Sequence, residues 1–170
     1  CRKHHWYYVQ KIAALKRQKI VWPEEWSNGD NNTPIFLCSV DGAHCQIYEP
    51  KHPTESRNPA FHSHKFHQAA LNYELALHSW EPWLVWMCDP MAAGAHDFAF
   101  FRNRLKGKTP AGKKGIGDKG HHGERGMLST PNSNDPAALQ KFKGRARARQ
   151  ESFNARIKTF GVLANRFRSK

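Results

Sequence analysis

The sequence predicts an α/β fold, a central mixed sheet with flanking helices, and three observations carry that reading. Apolar, β-favouring runs recur at Pro34–Val40, Asn72–Trp80 and Trp83–Cys88, each bounded by turn residues. Apolar residues at helical spacing occupy the two ends, Trp6–Val21 and about Ala137–Arg168. The 170 residues suit one domain, and a chain near this size buries roughly 70% of its unfolded surface.

In order along the chain, Trp6, Val9, Ile12, Ala13, Leu15 and Ile20 form a helical stripe that Trp22-Pro23 interrupts. Asn28-Gly29-Asp30-Asn31-Asn32 is a turn cluster, so residues 1–33 read as a helical lead-in to a main unit over 34–170. Pro34–Val40 reads as a buried strand with a carboxylate at its end, in Asp41-Gly42, and Cys45–Tyr48 as a paired continuation. Glu49–Ala60 is a polar, Pro-rich loop. Phe61–Phe66, Asn72–Trp80 and Trp83–Cys88 are extended, with Glu81-Pro82 as the turn between the last two. The small-residue loop Asp89–Gly94 leads to Asp97 and a helix over Phe98–Leu105. Lys106–Gly126 is Gly- and Lys-rich with one short strand at Gly115–Gly117, Pro131–Pro136 is a loop, and a long helix closes the chain from about Ala137 to Arg168.

At about 100° per residue, Phe142, Ala146, Phe153, Ile157, Phe160, Ala164 and Phe167 share one stripe of that last helix. Glu151 lies nearly opposite, on a narrower face of Ala148, Ala155 and Val162 flanked by Arg147 and Lys158. The helix is therefore expected to be buried on two sides. Packing of the small face brings Glu151 to the sheet; packing of the Phe stripe alone turns it away.

The formal charge of +13 and pI near 9.9 make polyanions the natural partners, although basicity reports phosphate affinity and not chemistry. Cys1, Cys38, Cys45 and Cys88 are scattered, with no C-x-x-C pair, and read as reduced thiols of an intracellular protein. No apolar run approaches the roughly 20 residues of a membrane span. The opening Cys1-Arg2-Lys3-His4-His5 is not a secretory signal, and a start without Met is expected of a fragment.

Three acids carry the chemical signal: Asp41, Asp97 and Glu151. Residues 141–170 hold ten Lys or Arg and no carboxylate besides Glu151. A phosphate-binding surface that must also hold a hard divalent cation has a use for such a carboxylate. Phosphodiester hydrolysis by two metals needs acids converging from separate elements, with the ions about 3.5–4 Å apart. The bland alternatives are a turn former before Gly42 and a helix N-cap at Asp97. His44 and His96 each lie within three residues of one of these aspartates and are candidates to hydrogen-bond the metal-binding carboxylates or to contact phosphate. Gly115–Gly120 fits G-x-G-x-x-G, but Pro110 precedes it and His121-His122 follow in place of a helix, which argues against a dinucleotide site. His62, His64, His67, His121 and His122 lack a spaced Cys or carboxylate set for zinc.

Taken in order, Val40-Asp41-Gly42-Ala43-His44, Tyr73-Glu74-Leu75-Ala76-Leu77, Leu84-Val85-Trp86-Met87, Gly94-Ala95-His96-Asp97, Gly117-Asp118-Lys119-Gly120 and the run from Arg147 to Lys158 resemble the DDE superfamily endonucleases of Harbinger-type transposases. The resemblance covers nearly the whole chain, and Lys19-Ile20-Val21-Trp22-Pro23 looks like the lead-in of plant and algal members. It implies a ribonuclease-H-like fold whose three acids, matched here by Asp41, Asp97 and Glu151, bind Mg²⁺ or Mn²⁺ while the enzyme cuts and joins DNA strands. Asp118 matches a recurrent family aspartate without an assigned role. The second aspartate of that fold usually follows a strand that comes after a helix, and no helix is read between Trp83 and Asp97. Family members also normally carry an N-terminal DNA-binding region and sequence beyond the third acid.

The expectation is thus a metal-dependent nuclease or transposase domain, with a transposase-derived, non-enzymatic DNA-binding module as the alternative. Arg145, Arg147, Arg149, Arg156 and Lys158 are the expected DNA contacts, to backbone phosphate and not to bases. Asp118 or Glu124 stands in as third ligand if Glu151 faces solvent. Expected partners are DNA and a separate DNA-binding protein, with no membrane, in the nucleus.

Overall fold

The computed structural model describes residues 5–27, 32–49, 58–95, 97–118, 124 and 126–166. Its centre is a pair of long antiparallel strands, β1 (Phe36–Gln46) and β3 (Gln68–His78), in continuous register from Cys38↔His78 to Gln46↔Ala70. β2 (His62–Ser63), β4 (Leu84–Met87) and β5 (Met91–Ala92) all pair antiparallel with β3. On the other edge of β1, β6 (Lys114–Ile116) runs parallel to it, and β7 (Leu128–Ser129) runs parallel to β6. The architecture is an α/β fold on a mixed sheet.

Strand alternation gives the sheet two faces. On one, Cys38, Val40, Ala76 and Val85 pack with Phe101, Leu105, Leu128 and Trp26. Phe101 and Leu105 come from α3 (Asp97–Asn103) and the 3-10 turn after it (Leu105–Lys108), and Trp26 from α2 (Glu24–Ser27). Phe101 is fully buried, which stabilises the fold by about 1.5–3 kcal/mol relative to leaving the ring in water. Side chains pack closely over Gly115, where a Cβ would lie 2.9 Å from Leu128 Cδ2 and 3.3 Å from Val40 Cγ2 and would require the Leu128 side chain to shift.

The opposite face carries Ser39 and Asp41 and is covered by α4 (Ala137–Ile157), which buries Lys143, Ala146 and Gln150. The buried Lys143 ammonium is neutralised by Asp135 at 2.6 Å and bonded to the Thr130 carbonyl at 3.1 Å. α1 (His5–Lys19) precedes the sheet, with Lys16, Arg17 and Lys19 complementing the dipole at its C-terminal end. Lys16 joins it to Asp89 by an ion pair of 2.8 Å. Tyr7, Ile12 and Leu15 of α1 are exposed.

Several expectations differ from the structure. Phe61–Phe66 is not extended throughout: Phe61 ends a 3-10 turn (Pro59–Phe61), only His62–Ser63 is strand, and residues 64–67 form a turn. The strand from residue 34 does not end at Asp41: it continues through Asp41 to Gln46, because β3 pairs with it along that whole length. The last helix stops at Ile157, turns, and resumes only as α5 (Gly161–Ala164), leaving Phe160 66% exposed. It is also buried on one side only, since Ala148 and Ala155 are exposed. Among the described residues no helix is long and apolar enough to cross a membrane.

Candidate functional site

Asp41 sits mid-strand, half-buried, with its carboxylate turned toward α4. Oδ1 accepts the Gly42 amide at 2.8 Å and Oδ2 accepts Asn154 Nδ2 at 2.6 Å. Two further bonds extend this contact. Ser39 Oγ donates to Gln150 Oε1 at 2.8 Å inside the sheet–helix interface, and Gln150 Nε2 lies 3.5 Å from Asn154 Oδ1. A polar seam from Ser39 through Gln150 and Asn154 to Asp41 thus fastens α4 to β1 at two registers.

Asp118 arrives beside the same strand by topology. Asp118 lies two residues past the end of β6, whose last paired residue, Ile116, stands opposite Ser39 in the parallel β1–β6 ladder. Asp118 is half-buried, and the Gly117 amide before it bonds the Ser129 carbonyl of the next strand at 3.1 Å. β6 itself follows α3 and the 3-10 turn.

Asp97 takes a different place. It opens α3, the helix whose Phe101 packs on the face opposite α4. The loop before it is held tightly: the Gly94 amide bonds the Ala60 carbonyl at 2.8 Å, and a Cβ on Gly94 would lie 2.6 Å from that oxygen. The Asp97 side chain and the whole of His96 lie outside the described residues.

Glu151 lies on the flank of α4 rather than against the sheet. Its side chain is 69% exposed and 3.6 Å from Arg147. Asn154, the next residue round on the side facing β1, makes the contact to Asp41 instead. Lys158, just past the end of α4, closes the same flank. Its ammonium lies over the Phe66 ring, 5.6 Å from the centroid. Burial holds its pKa below the ordinary lysine range, Lys65 adds repulsion, and Cys45 and Asp41 oppose the shift. Lys158 therefore stands within the field of the Asp41 carboxylate.

His44 turns away from Asp41, as its opposite parity on the strand dictates. Its Nδ1 is 2.8 Å from Ser63 Oγ and its ring packs on Phe66 at 6.4 Å. Glu124 is engaged elsewhere, accepting Arg102 at 2.6 Å and Lys106 at 3.0 Å, which hold its carboxyl below the ordinary range. Among the expected DNA contacts, Arg145 and Arg156 are exposed, whereas Arg149 is spent on the fold, donating to the carbonyls of His78, Ser79 and Trp80.

Asn154 and Gln150 were missed by reading charges alone. Their signal is an uncharged polar pair, spaced by four residues, on the helix face that also carries Ala146 and Ile157. Among the described residues no three of His, Cys, Asp and Glu converge as a ready-made cation cage. Asp41, Asp118 and the exposed Glu151 carry oxygens of the hard kind that Mg²⁺ or Mn²⁺ requires, while Asn154 turns its carboxamide nitrogen to Asp41 and its oxygen toward Gln150. No protein-family model, no curated protein and no solved structure matches the chain.

Proposed function

We infer that the chain is a metal-dependent DNA endonuclease domain of DDE type on a ribonuclease-H-like sheet, with Asp41, Asp118 and Glu151 as the acids. The observation that supports this reading is the parallel pairing of β1 with β6, in which Ser39 stands opposite Ile116, two residues before Asp41 and Asp118 respectively. Asp118 also follows a strand that comes after a helix, as the resemblance requires of the second aspartate, and Asp97 does not. Asp97, the original candidate for that position, becomes the alternative second ligand.

Asp41 and Asp118 would hold one Mg²⁺ or Mn²⁺ between strands, with Glu151 reaching it from the flank of α4 by a change of rotamer that releases Arg147. When bound, the ion supplies charge neutralisation at the phosphate and activation of the attacking water. The chain's own groups do the rest. Asn154 fixes the Asp41 rotamer, so the carboxylate is oriented before substrate arrives. Lys158 and the freed Arg147 contribute positive charge where the phosphate gathers negative charge. Arg145 and Arg156 add phosphate contacts that do not read sequence.

The exposed, ion-paired Glu151 favours a second reading, a DNA-binding module of transposase descent without cleavage. A plasmid-nicking assay separates the two. The endonuclease nicks supercoiled DNA with Mn²⁺, stops with EDTA, and is inactive as Asp41→Asn. Wild type that binds DNA without nicking it supports the binding module.

A further inference from the structure

The turn between β3 and β4 carries two indoles that the metal reading does not use. Trp80 is 57% and Trp83 60% exposed. Both are held against the body of the protein. The Trp80 ring leans on Phe142 of α4, centroids 4.6 Å apart at 30°. The Trp83 ring meets His78 at 6.1 Å, and His78 is backed in turn by Trp26 at 4.8 Å.

The backbone between the indoles is fixed from two sides. The amides of Trp80 and Glu81 donate to His78 Nδ1 at 3.1 and 3.0 Å, while Arg149 takes the carbonyls of His78, Ser79 and Trp80. A rigid turn presenting open aromatic faces loses little conformational freedom when something stacks on it.

Beside Trp80 runs an open groove of about 460 Å³, lined by Phe142, Ala146, Arg145 and Arg149 among others, with no acid in its lining. An apolar peptide or a second copy of this basic chain gains nothing from two arginines. A strand of nucleic acid gains from both features, because its bases are flat π-systems and its linkages are anions. The flank differs from that of Glu151: Arg145 and Arg149 lie on the far side of α4 from Glu151 and Lys158 at helical spacing.

We propose that Trp80 is a stacking platform for an unpaired base of a DNA strand whose phosphates rest on Arg145. The proposal rests on the DNA reading but not on cleavage.

The test is a tryptophan-fluorescence titration of the full chain at low salt with a short oligothymidylate and with a blunt duplex. Wild type, Trp80→Ala, Trp80→Phe, Trp83→Ala and Asp41→Asn are compared, each first shown to melt cooperatively. Trp80→Ala weakens oligothymidylate binding roughly 5- to 100-fold, whereas Trp83→Ala, outside the groove, weakens it less. Trp80→Phe restores most of the loss, Asp41→Asn has no effect, and duplex affinity stays within about twofold. Equal oligothymidylate affinity in wild type and Trp80→Ala overturns the platform while leaving the DNA reading intact. Absence of binding to either nucleic acid overturns both. A dimer in sedimentation that Trp80→Ala converts to monomer, with oligothymidylate affinity unchanged, assigns the indoles to self-association and overturns the platform.

Discussion

Asn154 on α4 donates its carboxamide N–H to Asp41 on β1 across 2.6 Å, joining residues 113 positions apart. The bond orients the candidate ligand and clamps helix to sheet at once. Asn154→Ala is expected to cost about 1.5–3 kcal/mol, the usual worth of a hydrogen bond to a charged group. Asn154→Asp sets a second carboxylate against Asp41. It lowers the melting temperature in EDTA by like-charge repulsion and gains more from Mn²⁺ than wild type does. Melts of the three proteins with and without Mn²⁺ check both expectations.

Glu151 separates stability from chemistry. Its pair with Arg147 is long and exposed, so Glu151→Gln is expected to change stability by no more than about 0.5 kcal/mol. Nicking, by contrast, is expected to fall at least about 100-fold if Glu151 completes the cation's ligands in the reacting state. Parallel denaturant melts and nicking rates measure the two effects.

Arg145 and Arg149 are predicted to part company although they are neighbours in sequence and charge. Arg149→Ala removes the donor to three turn carbonyls and lowers the melting temperature. Arg145→Ala leaves the melt unchanged and flattens the dependence of DNA affinity on log salt by about 0.9. Salt titrations of both variants read this directly.

His78 makes the β3–β4 turn sensitive to acid. Burial pulls its pKa below the ordinary value of about 6.5, with Arg149 acting in the same direction and Glu81 and Glu25 against it. The folded state favours the neutral ring, whose Nδ1 accepts two amides. Its contribution is therefore fully present above pH of about 6.5 and is lost as pH falls below that value toward the depressed folded pKa. Stability of wild type is expected to drop over that window more than stability of His78→Gln, as followed by denaturant melts at stepped pH.

Much of the fold was legible because apolar runs and turn residues report local structure. β3, β4, β6 and the start of α4 lie where those patterns put them. Asp41-Gly42 misled because Asp-Gly is a turn signal, and what overrides it is tertiary: β3 pairs across it and Asn154 satisfies the carboxylate. The Phe stripe likewise continues past the point where the chain turns at Lys158–Phe160. The placement of Asp118 just past β6, the strand parallel to β1, was the least legible feature. It depends on a three-residue strand and a parallel register between segments far apart, neither of which leaves a local periodicity.

The central claim is that Asp118, and not Asp97, shares a cation with Asp41. Mn²⁺ binding measured by calorimetry on wild type, Asp41→Asn, Asp118→Asn and Asp97→Asn tests it most directly. The account predicts that Asp41→Asn and Asp118→Asn lose the bound ion while Asp97→Asn keeps wild-type affinity. Loss in Asp97→Asn with retention in Asp118→Asn, or no Mn²⁺ binding by wild type, contradicts it.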